Sequence, residues 1–181
     1  MNKKEILFWL KRYNDYQKKE YAMTERELSK IIRKQGFLTK KQLEKLVEWK
    51  FGDYPARKKR EVQLVKQMNE SFIKQTTKLA LESQDDLTRI RILYELKGVK
   101  NAVASTILAF YDPKKNGIFD IHSWRELFGK EDKKFWSKPK LLIKYLITIR
   151  KIAQRNQLTA REIDKALYQQ NYETSSKKLK K

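Results

Sequence analysis

The chain has 181 residues, 40% of them hydrophobic, and carries 43 Lys and Arg against 22 Asp and Glu, for a net charge of +21. This charge favours a polyanionic partner such as nucleic acid, although the highly charged surface of a thermophilic protein would also produce it. The absence of cysteine excludes disulfides, thiolate zinc sites and iron–sulfur clusters held by cysteine. The apolar runs are too short to span a bilayer and no signal peptide is evident, so we expect a cytoplasmic, nucleoid-associated protein without membrane contact.

Glycine and proline are rare, with five and three in the chain, so we expect helices joined by short connections. Apolar residues at helical spacing predict a first helix over residues 3–21. Capping boxes at residues 24–27 and 39–42 predict the starts of the next two helices. Gly36 predicts the end of the first of these, and Pro55 suits the first turn of another helix.

A basic run, residues 57–60, opens the helix that follows this proline. A run of this kind is usually a solvated face, but here it stands close in sequence to Trp49 and Tyr54. Arg57 and Lys58 are therefore candidates for contact with the phosphate backbone of a nucleic acid.

The C-terminal half shows the same helical pattern. Apolar residues predict a helix near residues 72–80 and a buried helix over 141–152. A third capping box, at 159–162, begins the last predicted helix. Residues 174–181 have no apolar period and are predicted to form a basic tail. We therefore predict an all-α fold of eight to ten helices, with residues 1–173 in a single domain.

The central stretch, residues 86–127, contains two motifs in a fixed order. The first is a turn between an amphipathic helix and an apolar helix, with the sequence Leu96-Lys97-Gly98-Val99-Lys100. The second is Asp-x-His-x-x-Arg, at Asp120, His122 and Arg125. Together the motifs resemble the helix-hairpin-helix and catalytic aspartate segment of the HhH-GPD DNA glycosylases, in the endonuclease III branch. Outside this stretch the likeness is limited to the presence of helices.

The resemblance implies a compact multi-helix HhH-GPD-like fold with two helical lobes and an active-site cleft between them. Residues 37–128 would form the lobe that carries the hairpin and the catalytic aspartate. Residues 1–36 and 129–173 would form the other lobe, so that both ends of the domain meet there.

In that family the hairpin binds a DNA phosphate through backbone amides and a monovalent cation. The corresponding residues here are Lys97, Gly98, Val99 and Lys100, and the backbone carbonyls of Leu96 and Val99 would hold K⁺ or Na⁺. Lys100 stands where the family has a second glycine, so a positive φ there would strain it by about 1 kcal/mol. The alternative is an ordinary helix–turn–helix corner that ends at Gly98.

The resemblance assigns catalysis to Asp120, whose carboxylate would stabilise an oxocarbenium-like sugar and orient a water. The alternative is that Asp120 caps the following helix, and one carboxylate can do both. His122 is expected to order the turn, and Arg125 to anchor the turn or a phosphate. The family's Schiff-base lysine is replaced by Ala102, which predicts a monofunctional enzyme with little lyase activity.

A base inside a duplex must be flipped into a pocket before its bond to the sugar is cleaved. Four aromatic residues are candidates for this pocket or for a wedge inserted into the duplex: Trp49, Tyr54, Phe119 and Trp124. The alternative for each is that its ring packs in the hydrophobic core. The sequence does not determine which base is excised: an electron-poor alkylated, an oxidised, a deaminated or a hypermodified base would each be compatible with it.

Two alternatives to a DNA glycosylase remain. A non-catalytic helix-hairpin-helix module would bind and bend or mark DNA, which the altered hairpin and Ala102 favour. A basic RNA-binding or ribosome-associated protein would explain the lysine-rich C-terminus but not the spacing of Asp120, His122 and Arg125. Under the leading interpretation we expect a monomer that binds double-stranded DNA and needs no essential cofactor.

Overall fold

The computed structural model describes residues 1–131 and 134–178, with side chains as far as residue 175. This part of the chain is all-α, as predicted, and has no strands. None of its helices is both long and apolar enough to cross a membrane. It contains ten helices: α1 (Lys3–Tyr16), α2 (Lys19–Gln35), α3 (Lys40–Lys50), α4 (Pro55–Lys66), α5 (Glu70–Glu82), α6 (Asp86–Tyr94), α7 (Asn101–Tyr111), α8 (Ile121–Phe128), α9 (Pro139–Asn156) and α10 (Ala160–Lys178).

Local sequence signals account for most of the helix boundaries. The Thr39 hydroxyl accepts from the Gln42 amide and the Gln42 side chain accepts from the Thr39 amide, which confirms the capping box at the start of α3. The box at residues 159–162 starts α10 in the same way. Gly36 ends α2 with a φ of 74°, and Pro55 is the first residue of α4, both as predicted.

Two predicted boundaries near the N-terminus are wrong. The first helix ends at Tyr16, short of the predicted residue 21, and the chain bends at Gln17 before α2 begins at Lys19. Residues 24–27, predicted to cap a helix, lie inside α2. The acidic side chains of this segment pair with basic residues of α3 and α10, so tertiary contacts override the local capping signal.

The C-terminal helix is longer than the sequence predicts. Helix α10 continues to Lys178, so the prediction of a tail is wrong for residues 174–178. The Thr174 hydroxyl donates to the Gln170 carbonyl at 2.9 Å, a bond to the preceding turn that a polar side chain can make inside a helix. Residues 179–181, the rest of the predicted tail, lie outside the described residues.

Helix α7 lies at the centre of the core. Every residue from Asn101 to Phe110 is buried, and α7 packs against α2, α3, α6 and α9. Helix α10 packs against α1, α8 and α9. The buried helix predicted over residues 141–152 is α9, whose buried face includes Leu142 and Tyr145.

A buried group of charges joins α2 to α10. Arg161 donates from Nε and Nη2 to the Glu25 carboxylate, at 2.8 and 3.0 Å, and from Nη1 to Asp164. Asp164 also accepts from the Ile118 amide at 2.6 Å. Because a buried guanidinium requires carboxylate partners, this cluster fixes the chain just before α8 as well as the contact between α2 and α10.

We expect Glu25→Gln to destabilise the protein in a pH-dependent way. Burial raises the pKa of Glu25, but the charge and hydrogen bonds of Arg161 outweigh burial and lower that pKa to about 2. A carboxylate with a depressed folded pKa adds stability above its unfolded pKa, which is 4.5 here, and loses it as the pH falls toward 2. The variant should lose about 3 kcal/mol of unfolding free energy at pH 7, and about half of that near pH 3.

Urea denaturation at the two pH values measures this difference. The matched control is Glu27→Gln, which removes an ion pair with Lys45 whose partners are both exposed. Exposed pairs contribute roughly 0–1 kcal/mol, so the control should change stability little at either pH. If Glu25→Gln loses no more unfolding free energy than Glu27→Gln, or if its loss does not depend on pH, this account would be contradicted.

Candidate functional site

Asp120 is the N-cap of α8, and hydrogen bonds fix the turn that carries it. Its Oδ1 atom accepts from the His122 amide at 3.0 Å. Just before it, the Phe119 amide donates to the Ser105 hydroxyl at 2.9 Å. The Tyr145 hydroxyl donates, at 3.1 Å, to the carbonyl two residues before Asp120. Helices α7 and α9 therefore help α8 to position this carboxylate.

Lys50, which the sequence analysis missed, forms an ion pair with Asp120. It is the last residue of α3, and its Nζ lies 3.1 Å from Oδ2 of Asp120, with side chains that are 9% and 21% exposed respectively. Burial raises the pKa of Asp120, but the charge of Lys50 and hydrogen bonds from His122 and Lys50 lower it below its ordinary value. Asp120 is therefore ionised at neutral pH. No motif marks Lys50, which is 70 residues away along the chain.

A cavity of about 120 Å³, the Asp120 cavity, lies beside this ion pair. Trp49 and Tyr54, both predicted as pocket candidates, line it together with tyrosines of α1, α2 and α10. The Trp49 indole donates to the Tyr21 carbonyl at 2.9 Å and packs edge-on against Phe110. Tyr54 is 59% exposed, so a ligand can reach it from solvent.

Phe119 and Trp124 are core residues, so the prediction that they form the pocket or a wedge is wrong. They are 0% and 4% exposed. Both pack against Phe135, with ring centroids 4.5 and 5.2 Å apart respectively. Neither ring can reach a base unless the core opens.

His122 and Arg125 connect α8 to neighbouring segments. His122 places Nδ1 3.0 Å from the Asn171 side-chain oxygen, and its ring packs edge-on against two tyrosines of α10. Arg125 donates from Nε and Nη2 to the Glu131 carboxylate at 2.9 and 2.6 Å. Contact of Arg125 with a phosphate stays a prediction, and it would compete with this ion pair.

The predicted hairpin lies between α6 and α7. Gly98 has a φ of 79°, and the Val99 amide closes the turn on the Leu96 carbonyl at 3.0 Å. Lys100 is the N-cap of α7 with a φ of −130°, so the positive φ that would strain a lysine at this position is not present. A carbonyl oxygen has two lone pairs, so the turn bond leaves Leu96 able to contact a cation. The K⁺ or Na⁺ site at Leu96 and Val99 stays a prediction.

A groove of about 720 Å³, the hairpin groove, is lined by Gly98 and Lys100 of the hairpin and by Arg57. The Arg57 guanidinium lies over the rings of Phe51 and Trp136, at 4.3 and 5.1 Å from their centroids. Burial lowers the pKa of Arg57, and its buried Nε has no hydrogen-bond partner among residues 1–131 and 134–175. The groove therefore places the positive charges of Arg57 and Lys100 close together.

Ala102 and Asp120 line different cavities. Ala102 lines the hairpin groove, whereas Lys50 lines the Asp120 cavity. The loop after Lys50 separates the two, since Phe51 faces the groove and Tyr54 faces the cavity. The position expected for a Schiff-base lysine is therefore outside the Asp120 cavity, and the lysine inside it comes from α3.

Comparison with protein-family models, curated proteins and solved structures finds no match to this chain. Over the described ranges, no group of three or more His, Asp or Glu side chains is placed to hold a metal ion. The site consists of an ionised carboxylate paired with an amine in an aromatic cavity, with a groove lined by Arg57 and Lys100 beside it.

We expect Gly98→Ala to cost about 2 kcal/mol of unfolding free energy. The positive φ costs an alanine about 1 kcal/mol, and the new Cβ would lie 2.6 Å from Oε2 of the buried Glu61. Thermal denaturation measures the loss. Gly36→Ala is the matched control, because Gly36 has a φ of 74° with nothing within 4 Å of the added Cβ. Equal losses for the two variants would show that the packing around Gly98 contributes nothing.

We expect Lys50→Met to raise the pKa of Asp120, because the substitution removes the cation 3.1 Å from its carboxylate. A carbon-13 NMR titration of the Asp120 carboxyl measures the change. Lys45→Met is the control, since Lys45 pairs with Glu27 at the surface and not with Asp120. An unchanged titration of Asp120 in Lys50→Met would contradict the assigned electrostatic role.

Proposed function

We propose that the chain is a DNA glycosylase of the HhH-GPD type, which hydrolyses the N-glycosidic bond of a base flipped from double-stranded DNA. The observation that carries the proposal is the Asp120 carboxylate, which is ionised, mostly buried and next to an aromatic cavity. A fixed negative charge in such a place suits a reaction that develops positive charge on a sugar.

The packing of the helices supports the proposed two-lobe arrangement. Helices α1, α8 and α9 pack around α10, while α2, α3 and α6 pack around α7, and α9 also contacts α6 and α7. The Asp120 cavity draws residues from both groups, such as Lys50 from the second and Tyr168 from the first. On this division α8 belongs with the C-terminal helices, and α2 with the lobe that carries the hairpin.

The hairpin groove is the proposed contact for the DNA backbone. The Lys97 amide already donates to the Met68 sulfur, and the Val99 amide closes the turn. The phosphate would therefore contact the Gly98 amide and the side chains of Lys97 and Lys100, while the Arg57 guanidinium, which lines the groove, would add a positive charge.

In the proposed reaction the base departs from C1′ with the electron pair of the glycosidic bond. The Asp120 carboxylate stabilises the resulting oxocarbenium-like sugar, and a water adds to C1′ and gives its proton to Asp120 or to solvent. Lys50 keeps the carboxylate ionised before the substrate binds. Because Lys50 is held in this ion pair and Ala102 replaces the usual lysine, water is the proposed nucleophile and the enzyme is monofunctional.

The test is base excision from duplexes that carry a panel of damaged or modified bases, followed by alkali to cleave abasic sites. We expect alkali-dependent breaks at one class of lesion. Asp120→Asn should slow excision by about 100-fold or more while DNA binding survives, because asparagine retains the cap of α8. Asp85→Asn is the control, since Asp85 caps α6 by accepting from the Thr88 amide at an exposed position.

Two outcomes would contradict the proposal. Breaks without alkali, with a borohydride-trapped complex that is lost in Lys50→Met, would make Lys50 an amine nucleophile and exclude the monofunctional mechanism. Absence of excision, with tight DNA binding unaffected by Asp120→Asn, would favour a non-catalytic helix-hairpin-helix DNA-binding protein. The observation that favours this second candidate is that Ala102, in the place of the family's lysine, faces the groove and not Asp120.

A further inference from the structure

Helix α9 carries a line of positive charges on its exposed face. Its 18 residues include five cations and no Asp or Glu. Four of these cations are exposed and are spaced by four, seven and four residues, so they lie along one side of the helix over roughly 22 Å. They form the basic stripe: Lys140, Lys144, Lys151 and Arg155. The apolar side chains of Leu142 and Tyr145 hold another face of α9 in the core.

The charges of the basic stripe are not neutralised by the part of the protein that the structure describes. Over residues 1–131 and 134–175, none of its four cations has a carboxylate oxygen within 4.0 Å. The Nζ atom of Lys144 lies 4.3 and 5.6 Å from the ring centroids of Phe128 and Trp124. These rings are neutral and leave its charge in place. By contrast, Arg150, the fifth cation of α9, pairs with Asp86.

The arrangement of the basic stripe disfavours the helix that carries it. Lys140 and Lys144 are four residues apart, as are the other two cations, and like charges at this spacing repel each other. Lys140 also lies in the first turn, where the helix dipole disfavours a cation and no acidic residue compensates. Helix α2, in comparison, has five cations and three glutamates among its 17 residues. The uncompensated repulsion in α9 favours a polyanionic partner over solvent alone.

The other side chains of α9 indicate which polyanion fits. Ile147, at 44% exposed, is the one exposed large apolar side chain of this helix, whereas a helix that lies in a membrane surface needs a broad apolar face. The only aromatic residue of α9, Tyr145, is buried, whereas proteins that bind single strands stack bases on accessible aromatic rings. The backbone of a DNA duplex carries about one negative charge per 1.7 Å of its axis, and cations alone suffice to contact it.

The basic stripe begins close to the hairpin. The side-chain amide of Asn101 donates to the carbonyls of Phe135 and Lys138, at 2.8 and 3.1 Å. Asn101 directly follows Lys100 of the hairpin, and the first cation of the stripe, Lys140, is two residues after Lys138. These bonds fix the start of α9 beside the hairpin, and the stripe runs from there to the C-terminal end of the helix.

We propose that the basic stripe binds the phosphate backbone of duplex DNA and extends the contact beyond the hairpin groove. At about 3.4 Å per base pair, its length corresponds to roughly six base pairs. The inference shares duplex DNA with the proposed function but concerns binding alone, and it does not depend on base excision. Contacts of this kind hold a protein on DNA of any sequence.

The test replaces Lys140, Lys151 and Arg155 with Gln and measures binding to an undamaged duplex by fluorescence anisotropy at several salt concentrations. Lys144 is kept because it packs on aromatic rings. Each lost phosphate contact lowers the slope of log Kobs against log salt concentration by about 0.9. We therefore expect the slope to fall by about 2–3, and the affinity near 0.1 M salt to fall at least about tenfold.

The matched control replaces Lys45, Lys74 and Lys78 with Gln. It removes the same total charge, but each of these surface lysines already pairs with a carboxylate. The control should keep the wild-type slope and bind DNA within about threefold of the wild-type affinity. Thermal denaturation should show that the stripe variant is folded and at least as stable as the wild-type protein, because its substitutions relieve repulsion within α9.

Three outcomes would overturn the proposal. An unchanged salt slope in the stripe variant would show that the stripe does not contact phosphates. Equal losses in the stripe variant and the control would show that only the net charge matters. Intact DNA binding, with binding to phosphatidylglycerol vesicles lost in the stripe variant, would assign the stripe to a lipid surface.

A last comparison separates the basic stripe from the proposed hairpin contact. In a protein that carries Lys97→Gln and Lys100→Gln, the stripe substitutions should still lower the salt slope by about 2–3. If the hairpin substitutions alone leave binding unchanged while the stripe substitutions weaken it, the hairpin contact is wrong and the stripe stands. If the stripe substitutions have no effect in either background, the stripe is wrong whatever the hairpin does.

Discussion

The buried charge of Arg161 is the constraint on which the arrangement of the candidate site depends. A guanidinium in the core is stable only beside carboxylates, and Glu25 from α2 and Asp164 from α10 provide them. Asp164 in turn accepts from the amide of Ile118, two residues before Asp120. The position of Asp120 at the start of α8 is therefore set by charges on helices that are distant in sequence, and not by the local turn alone.

Two interactions converge on the carboxylate of Asp120. The same carboxylate caps α8 and pairs with Lys50, and both interactions favour its ionised form against the cost of burial. On one side of the loop after Lys50 lies the aromatic Asp120 cavity, which contains this carboxylate. On the other side of the loop after Lys50 lies a groove with Arg57 and Lys100, which suits phosphate. A buried carboxylate and a groove lined by Arg57 and Lys100 therefore lie on either side of one short loop.

The features that could be predicted from the sequence are those that depend on local signals. Helical spacing, two of the three capping boxes, Gly36 and Pro55 gave the all-α fold and most boundaries, because each signal acts within a few residues. The pairing of Lys50 with a carboxylate 70 residues away could not be predicted, since one lysine among many carries no mark of its partner. The prediction that Phe119 and Trp124 form a pocket or a wedge was wrong for a related reason. An aromatic residue near a turn has the same sequence signature whether its ring faces the core or solvent.

The long separations between ion partners have a consequence for the order in which the protein assembles during synthesis. Arg12 pairs with Glu173 and Glu25 with Arg161, across 161 and 136 residues of chain. Contacts of such separation form late, because long loops must close first, and a nascent chain emerges from its N-terminus onward. The hairpin groove is therefore translated before the α10 side of the Asp120 cavity exists. The Asp120 cavity is therefore complete only after α10 has docked.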